Sequence, residues 1–315
     1  MSSPSDLIEE QISSVDLAWD LLNRKLPEFE KVFAIWHSWF CAKVQNKRMQ
    51  KVVIDTLVIS YARMTLRNGK LSIQPRSYHS EKHIDDLLFR LIAVSHLSKS
   101  QNITSYGWAL LSMFMGAHDL RQSEVNNALE LVGNNEQSSF QELLRILEIV
   151  DKHKVIRQEH KELLKLMIHG STFGRGEDTK GNIYIGNLVR ILLEDVAYFD
   201  DDDKELAYLA CDIDTANVSA DLVDYAQSSI NVYNEIQTIS GNTMSARLFF
   251  GTLQEDYFFE LQKFNSELGK QAFAEQKLKN TPKIKALCKL IKQLDSEMEN
   301  DEVVAYYQAQ IKKLS

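Results

Sequence analysis

The chain has 315 residues, 44% of them hydrophobic and 25% charged, which is enough apolar content for one large or two modest domains and too much for a disordered chain. Four prolines and twelve glycines are too few to punctuate a sheet protein, so an all-α fold is expected. A formal net charge of −8 argues against generic binding to nucleic acid or an anionic membrane.

In chain order, the opening SSPSDLIEEQ carries acids and lacks the basic start and apolar run of a signal peptide; no later stretch reaches the apolar length of a membrane span. A soluble, cytoplasmic chain is expected. Cys41, Cys211 and Cys288 are widely scattered, which suggests a reducing compartment and neither a disulfide framework nor a zinc knuckle. Ile8, Ile12, Val15, Trp19 and Leu22 recur at helical spacing, and helical runs continue to about Thr65. RNGKLSIQP breaks the pattern, and YHSEKHIDD follows. Ile84, Leu87, Leu88, Leu91 and Ile92 then form a helical stripe with His79 and His83 near its N-terminal end. A second helix, with Trp108, Leu111 and Met115 on one stripe, delivers His118 and Asp119.

Further helical runs, LLRILEIV and ELLKLMI, lead to His169 and then to STFGRGEDTKG, a loop-like stretch suited to a lid. The acidic run Asp200 to Asp203 reads as a helix start, because its spacing is not that of a calcium loop. LACDIDTA places Asp212 on the helix that follows, and the last sixty or so residues return to helical spacing with oppositely charged faces.

Four groups from three helices form a candidate constellation: His83, His118, Asp119 and Asp212. Imidazole nitrogens with carboxylate oxygens suit a divalent transition metal better than calcium. Each residue alone is as well explained as an ordinary buried or surface polar group, and the ordered set is what favours a metal.

That set resembles the HD superfamily of metal-dependent phosphohydrolases, whose pattern is a histidine, a His-Asp doublet and a distant aspartate. It is most similar to the catalytic domain of cyclic nucleotide phosphodiesterases. The family's first block, Tyr-His-Asn-x-x-His-x-x-Asp, is matched by Tyr78, His79, His83 and Asp86, with Ser80 in place of asparagine. Of the second block, His-Asp-x-Asp-His-Pro-Gly-x-x-Asn, the chain keeps His118, Asp119 and Asn126, and Gln122 stands where the family has a histidine. In the third, Ala-Asp-x-Ser, the aspartate is Asp212. The resemblance spans Tyr78 to Asp214.

The resemblance implies a helical bundle of HD/phosphodiesterase type: an N-terminal helical segment over 1–70, a catalytic core over 71–256 and C-terminal helices over 257–315 packed on it. It implies His83, His118, Asp119 and Asp212 as ligands to one or two divalent ions (zinc, iron, manganese or magnesium), and His79 as the general acid. Asp86 would support them from behind. Tyr78, Asn126, His169 and Gln254, the last in FFGTLQED, are the candidate substrate-binding residues, with Arg175 and Lys180 as weaker phosphate contacts. The expected activity is hydrolysis of a small phosphodiester or phosphomonoester, a cyclic nucleotide or related nucleotide, by water that the metal activates. The alternative is a catalytically weak or inactive HD-fold binding or regulatory protein. The oligomeric state is left open.

Overall fold

The computed structural model describes residues 4–122, 133–178, 180–196, 198–241 and 243–315, with the side chain of residue 101 outside that set. Helix dominates, as expected. The order is α1 (Leu7–Gln11), α2 (Val15–Lys25), α3 (Phe29–Lys43), α4 (Lys47–Arg67), α5 (Glu81–Val94), α6 (Ser105–Ala117), α7 (Asn134–Val150) and α8 (Gln158–Gly170). A hairpin of β1 (Phe173–Glu177) and β2 (Ile183–Asn187) follows, then α9 (Val189–Glu194), α10 (Asp201–Asp214), α11 (Leu222–Ser240), the single turn α12 (Gln254–Asp256), α13 (Glu267–Lys292) and α14 (Asn300–Leu314). No helix among the described residues is long and apolar enough to cross a membrane.

Polar residues at the helix starts set the segmentation. Asp6, Ser14, Asn46, Thr104, Asp221 and Ser266 each accept a hydrogen bond from a first-turn backbone N–H, satisfying donors that have no partner within the helix. The acidic run is a helix start, as its composition indicates: Asp200 Oδ1 accepts from the Asp203 N–H at 2.8 Å.

At the centre lies α4, buried almost all round from Val52 to Thr65 and packed against α2, α6 and α7. Gly116 permits the close approach of α6, since a Cβ there would meet Leu57 Cδ1 at 2.7 Å. One apolar core runs from Ile12 through α4, α6, α8 and α10 to Phe273. A second, built on Tyr225, Phe250, Phe258 and Tyr307, joins α11 to α14. Between α11 and α13 the helix widens into π-helical turns, Leu248–Leu253 and Tyr257–Leu261, on either side of Gln254; such turns recur at functional sites.

The lid-like loop is instead an antiparallel hairpin, with Arg175 opposite Ile185 and Phe173 opposite Asn187. Its glycines hide the strand pattern in the sequence, yet they are what the hairpin uses. Gly174, Gly181 and Gly186 all have positive φ, and a Cβ on Gly186 would stand 2.5 Å from the Leu261 carbonyl oxygen.

Candidate metal centre

Three helix ends converge on one point. His83 lies in the first turn of α5, His118 directly follows α6, and Asp214 is the last residue of α10. Arg90, from α5, fixes the third of these: its Nη1 donates to the Ile213 carbonyl at 3.0 Å and the Asp214 carbonyl at 3.1 Å. It thereby satisfies terminal carbonyls of α10 and complements the negative end of the helix dipole.

His83 Nε2 is 3.1 Å from Asp214 Oδ1 and 3.6 Å from Asp119 Oδ2. His118 Nε2 is 3.0 Å from Asp119 Oδ2 and 3.4 Å from Asp214 Oδ1. The candidate ligand atoms of His83, His118 and Asp214 all lie within 4.8 Å of one another, so this group can hold a metal ion. Burial alone pushes the His118 imidazole down, but Asp119 and Asp214 outweigh it and hold its pKa well above the usual histidine range. Burial likewise pushes both carboxyls up, and His118 more than offsets it, leaving them below the carboxylate range.

The donor set fits a divalent ion. His118 Nδ1–H donates to the Phe114 carbonyl at 3.2 Å, which makes Nε2 the nitrogen that would give up its proton and offer a lone pair to an ion. That nitrogen is buried and makes no hydrogen bond, although two carboxylate oxygens crowd it. An orphaned buried nitrogen between two acids is the arrangement a metal ligand requires.

Asp212 is not part of the cluster, and the expectation for it is corrected. Its carboxylate is fully buried and accepts from the Asn265 N–H at 2.9 Å, the Ser266 N–H at 2.8 Å and the Ser266 hydroxyl at 2.6 Å. It anchors the start of α13. Two residues along an α-helix turn through roughly 200°, so Asp212 and Asp214 leave α10 on opposite sides, and Asp214 is the one that meets the histidines.

His79 sits just outside the cluster with a different partner. Its Nδ1 is 2.6 Å from Glu235 Oε1 on α11, and its backbone N–H and that of Tyr78 both donate to Glu235 Oε2, at 3.0 and 2.9 Å. Burial pushes the His79 imidazole down, but Asp119 and Glu235 outweigh it and raise its pKa. Burial also pushes the Glu235 carboxyl up; the hydrogen bond and charge of His79 reverse this and hold it far below its usual range. Nothing in the sequence marks Glu235, which is 156 residues from its partner.

A cavity of about 480 Å³ opens on this site, lined by Tyr78, His79, Asp119, Asp214, Tyr257 and Gln254, among others. Gln254 therefore reaches the site from the π-helical segment. Its Nε2 donates to Tyr307 Oη at 2.8 Å and Ser229 Oγ at 3.3 Å, and its buried Oε1 has no partner. His169 does not reach the site. It lines a separate cavity of about 350 Å³, where burial and Lys165 push its pKa down to about 4. Asp86 lines a neighbouring cavity of about 380 Å³ that Tyr78 and His83 also border. Arg175 and Lys180 are exposed and paired with Asp256 and Asp195, so neither is brought to the cluster. Asn126 lies outside the described residues.

No family model matches the chain, and neither the curated proteins nor the solved structures yield a significant match.

Proposed function

We propose that the chain is a metal-dependent phosphohydrolase of HD type, acting on a small phosphodiester, a cyclic nucleotide or related nucleotide. One observation carries this reading: Asp119 and Asp214, which pack against His83 and His118, line the same cavity as His79, which Glu235 holds. The ligands are His83, His118 and Asp214, with Asp119 beside them. A divalent ion held there, whether zinc, iron, manganese or magnesium, supplies Lewis acidity at phosphoryl oxygens and lowers the pKa of water at neutral pH.

The remaining steps belong to the protein. With its Nδ1 held by Glu235, His79 keeps Nε2 for the substrate and donates a proton from it to the departing alkoxide. The Glu235 carboxylate stabilises the imidazolium form, so the acid is charged when the substrate arrives. Tyr78 and Tyr257 provide walls that exclude water. Gln254, its amide nitrogen committed to Tyr307 and Ser229, offers Oε1 as an acceptor for an N–H of a base, which supports a nucleotide over a simple phosphate ester.

The test is to quantify bound metal and assay cyclic and linear nucleotides alongside His79→Ala. The expected result is unchanged metal content with turnover reduced about 10²–10⁴-fold, the range for loss of a general acid. Metal binding without turnover in either protein would favour a binding or regulatory module, and failure to bind any divalent ion would end the hydrolase reading.

A further inference from the structure

Asp119 turns its two carboxylate oxygens to different neighbours. Oδ2 faces the imidazoles, 3.0 Å from His118 Nε2 and 3.6 Å from His83 Nε2. Oδ1 accepts a hydrogen bond from Gln122 Nε2 at 2.8 Å. The Gln122 amide has no reason to rotate and present its oxygen there, because Oε1 already accepts from Asn135 Nδ2 at 3.2 Å. Its backbone is fixed as well: the Gln122 carbonyl accepts from Arg76 Nη2 at 3.3 Å, and Arg76 is ion-paired to Glu235 at 3.1 Å.

A carboxylate that bridges two cations needs a lone pair available on each oxygen, and a second cation needs acceptors of its own. On the Oδ1 side the protein instead supplies an N–H donor, the Gln122 side-chain amide. Among the described residues, the one group of His, Cys, Asp or Glu side chains that converges closely enough for an ion is His83, His118 and Asp214.

Resting on the metal-centre reading above, we infer that the centre takes one divalent ion, on the Oδ2 side of Asp119, and that the Gln122 side-chain amide occupies the position a second ion would need. Gln122 thus acts as a positioning residue. It holds Asp119 to a single ion and fixes which of its oxygens faces the histidines. Replacing Gln122 with glutamate, of the same shape, puts an acceptor oxygen where the amide nitrogen donated and opens the Oδ1 side to a second cation.

The experiment is metal titration of the full chain after treatment with chelator, using Mn²⁺ and following heat of binding and bound metal per chain, with electron paramagnetic resonance of the loaded protein. The wild type should saturate at one Mn²⁺ with the spectrum of an isolated ion. Gln122→Glu should saturate at two and show exchange coupling between neighbouring ions. Gln122→His, which also brings a lone pair, covers the case in which Gln122→Glu loses the first ion. Two ions in the wild type would overturn the inference while leaving the metal centre standing. A count that stays at one in both variants would overturn the role given to Gln122. No bound ion at all would remove the inference and the metal reading together.

Discussion

Two buried clusters of charge lie on either side of the turn that carries His118 and Asp119, and they are neutralised in opposite ways. On the outer side, Glu142 is ion-paired with Arg63, Arg67 and Arg121, Glu9 with Arg63, Arg121 and Arg145, and Asp6 with Arg67 and Arg121. On the inner side, the ion-pair partners of Asp119 and Asp214 among the described residues are the imidazoles of His83 and His118. An arginine keeps its charge at every accessible pH; an imidazole can give up its proton to a competing cation. Acids balanced by arginine are therefore bound into the structure for good, whereas acids balanced by histidine can exchange protons for a metal ion. The two clusters are joined through the turn itself. Arg67 Nη1 donates to the Leu120 carbonyl at 2.6 Å, and the Arg121 N–H donates to Ser139 Oγ at 2.9 Å, so the arginine cluster holds the turn from which Asp119 projects.

Each side of this contrast can be broken separately. The largest effect should come from Glu142→Ala, which removes a buried carboxylate shared by Arg63, Arg67 and Arg121 and leaves Glu9 and Asp6 as their acid partners; the expected loss is up to about 3–5 kcal/mol of stability, read as a lower melting temperature that added metal does not restore. Rescue by metal would erase the distinction between the clusters. Next, Asp214→Ala should weaken divalent-ion affinity by more than about 100-fold, since outer partners of ligands alone are worth about 10–100-fold; calorimetric titration measures it. The wild type should gain about 2.7 kcal/mol of stability at an ion concentration 100 times Kd, and Asp214→Ala should gain almost none of that.

A third effect concerns pH. The His79 pKa is raised above the ordinary value of 6.5, so its proton-donor form persists below that raised value and activity should fall as pH rises through it. By the same linkage, the stability this histidine contributes is present below about pH 6.5 and disappears as pH climbs through the folded-state value. Glu235→Gln removes a carboxylate that opposes burial, and the basic limb of kcat/KM against pH should move to lower pH. A limb that stays in place would detach Glu235 from the acid. The smallest effect on metal should come from Asp212→Asn, with ion affinity within about twofold of wild type and a loss of about 1 kcal/mol from the weakened start of α13. An affinity loss like that of Asp214→Ala would return Asp212 to the centre.

The periodicity of apolar residues, together with scarce proline and glycine, was sufficient for the all-α class, and the acidic run at Asp200 was legible as a cap because its chemistry is local. That His83, His118 and Asp119 would come together was also legible, since the ordered set of imidazoles and carboxylates, and no one residue of it, singled them out. The hairpin at Phe173–Asn187 was not, because its strands are interrupted by the very glycines that shape them. Gln254 could be placed from its aromatic context, but its orientation depends on Tyr307, 53 residues away.

The choice between Asp212 and Asp214 marks the boundary most clearly. Both stand in CDID, and no property of that tetrapeptide says which side of α10 will meet α13 and which will meet the two histidines. Docking of Asn265 and Ser266 against Asp212 settles it, and the recruitment of Glu235 to His79 is settled in the same way. The sequence alone determined the imidazoles and the His-Asp doublet the site would draw on and the helices that carry them. Only the tertiary structure decided which carboxylates face the imidazoles, because rotation of a helix about its axis is set by the surfaces packed against it.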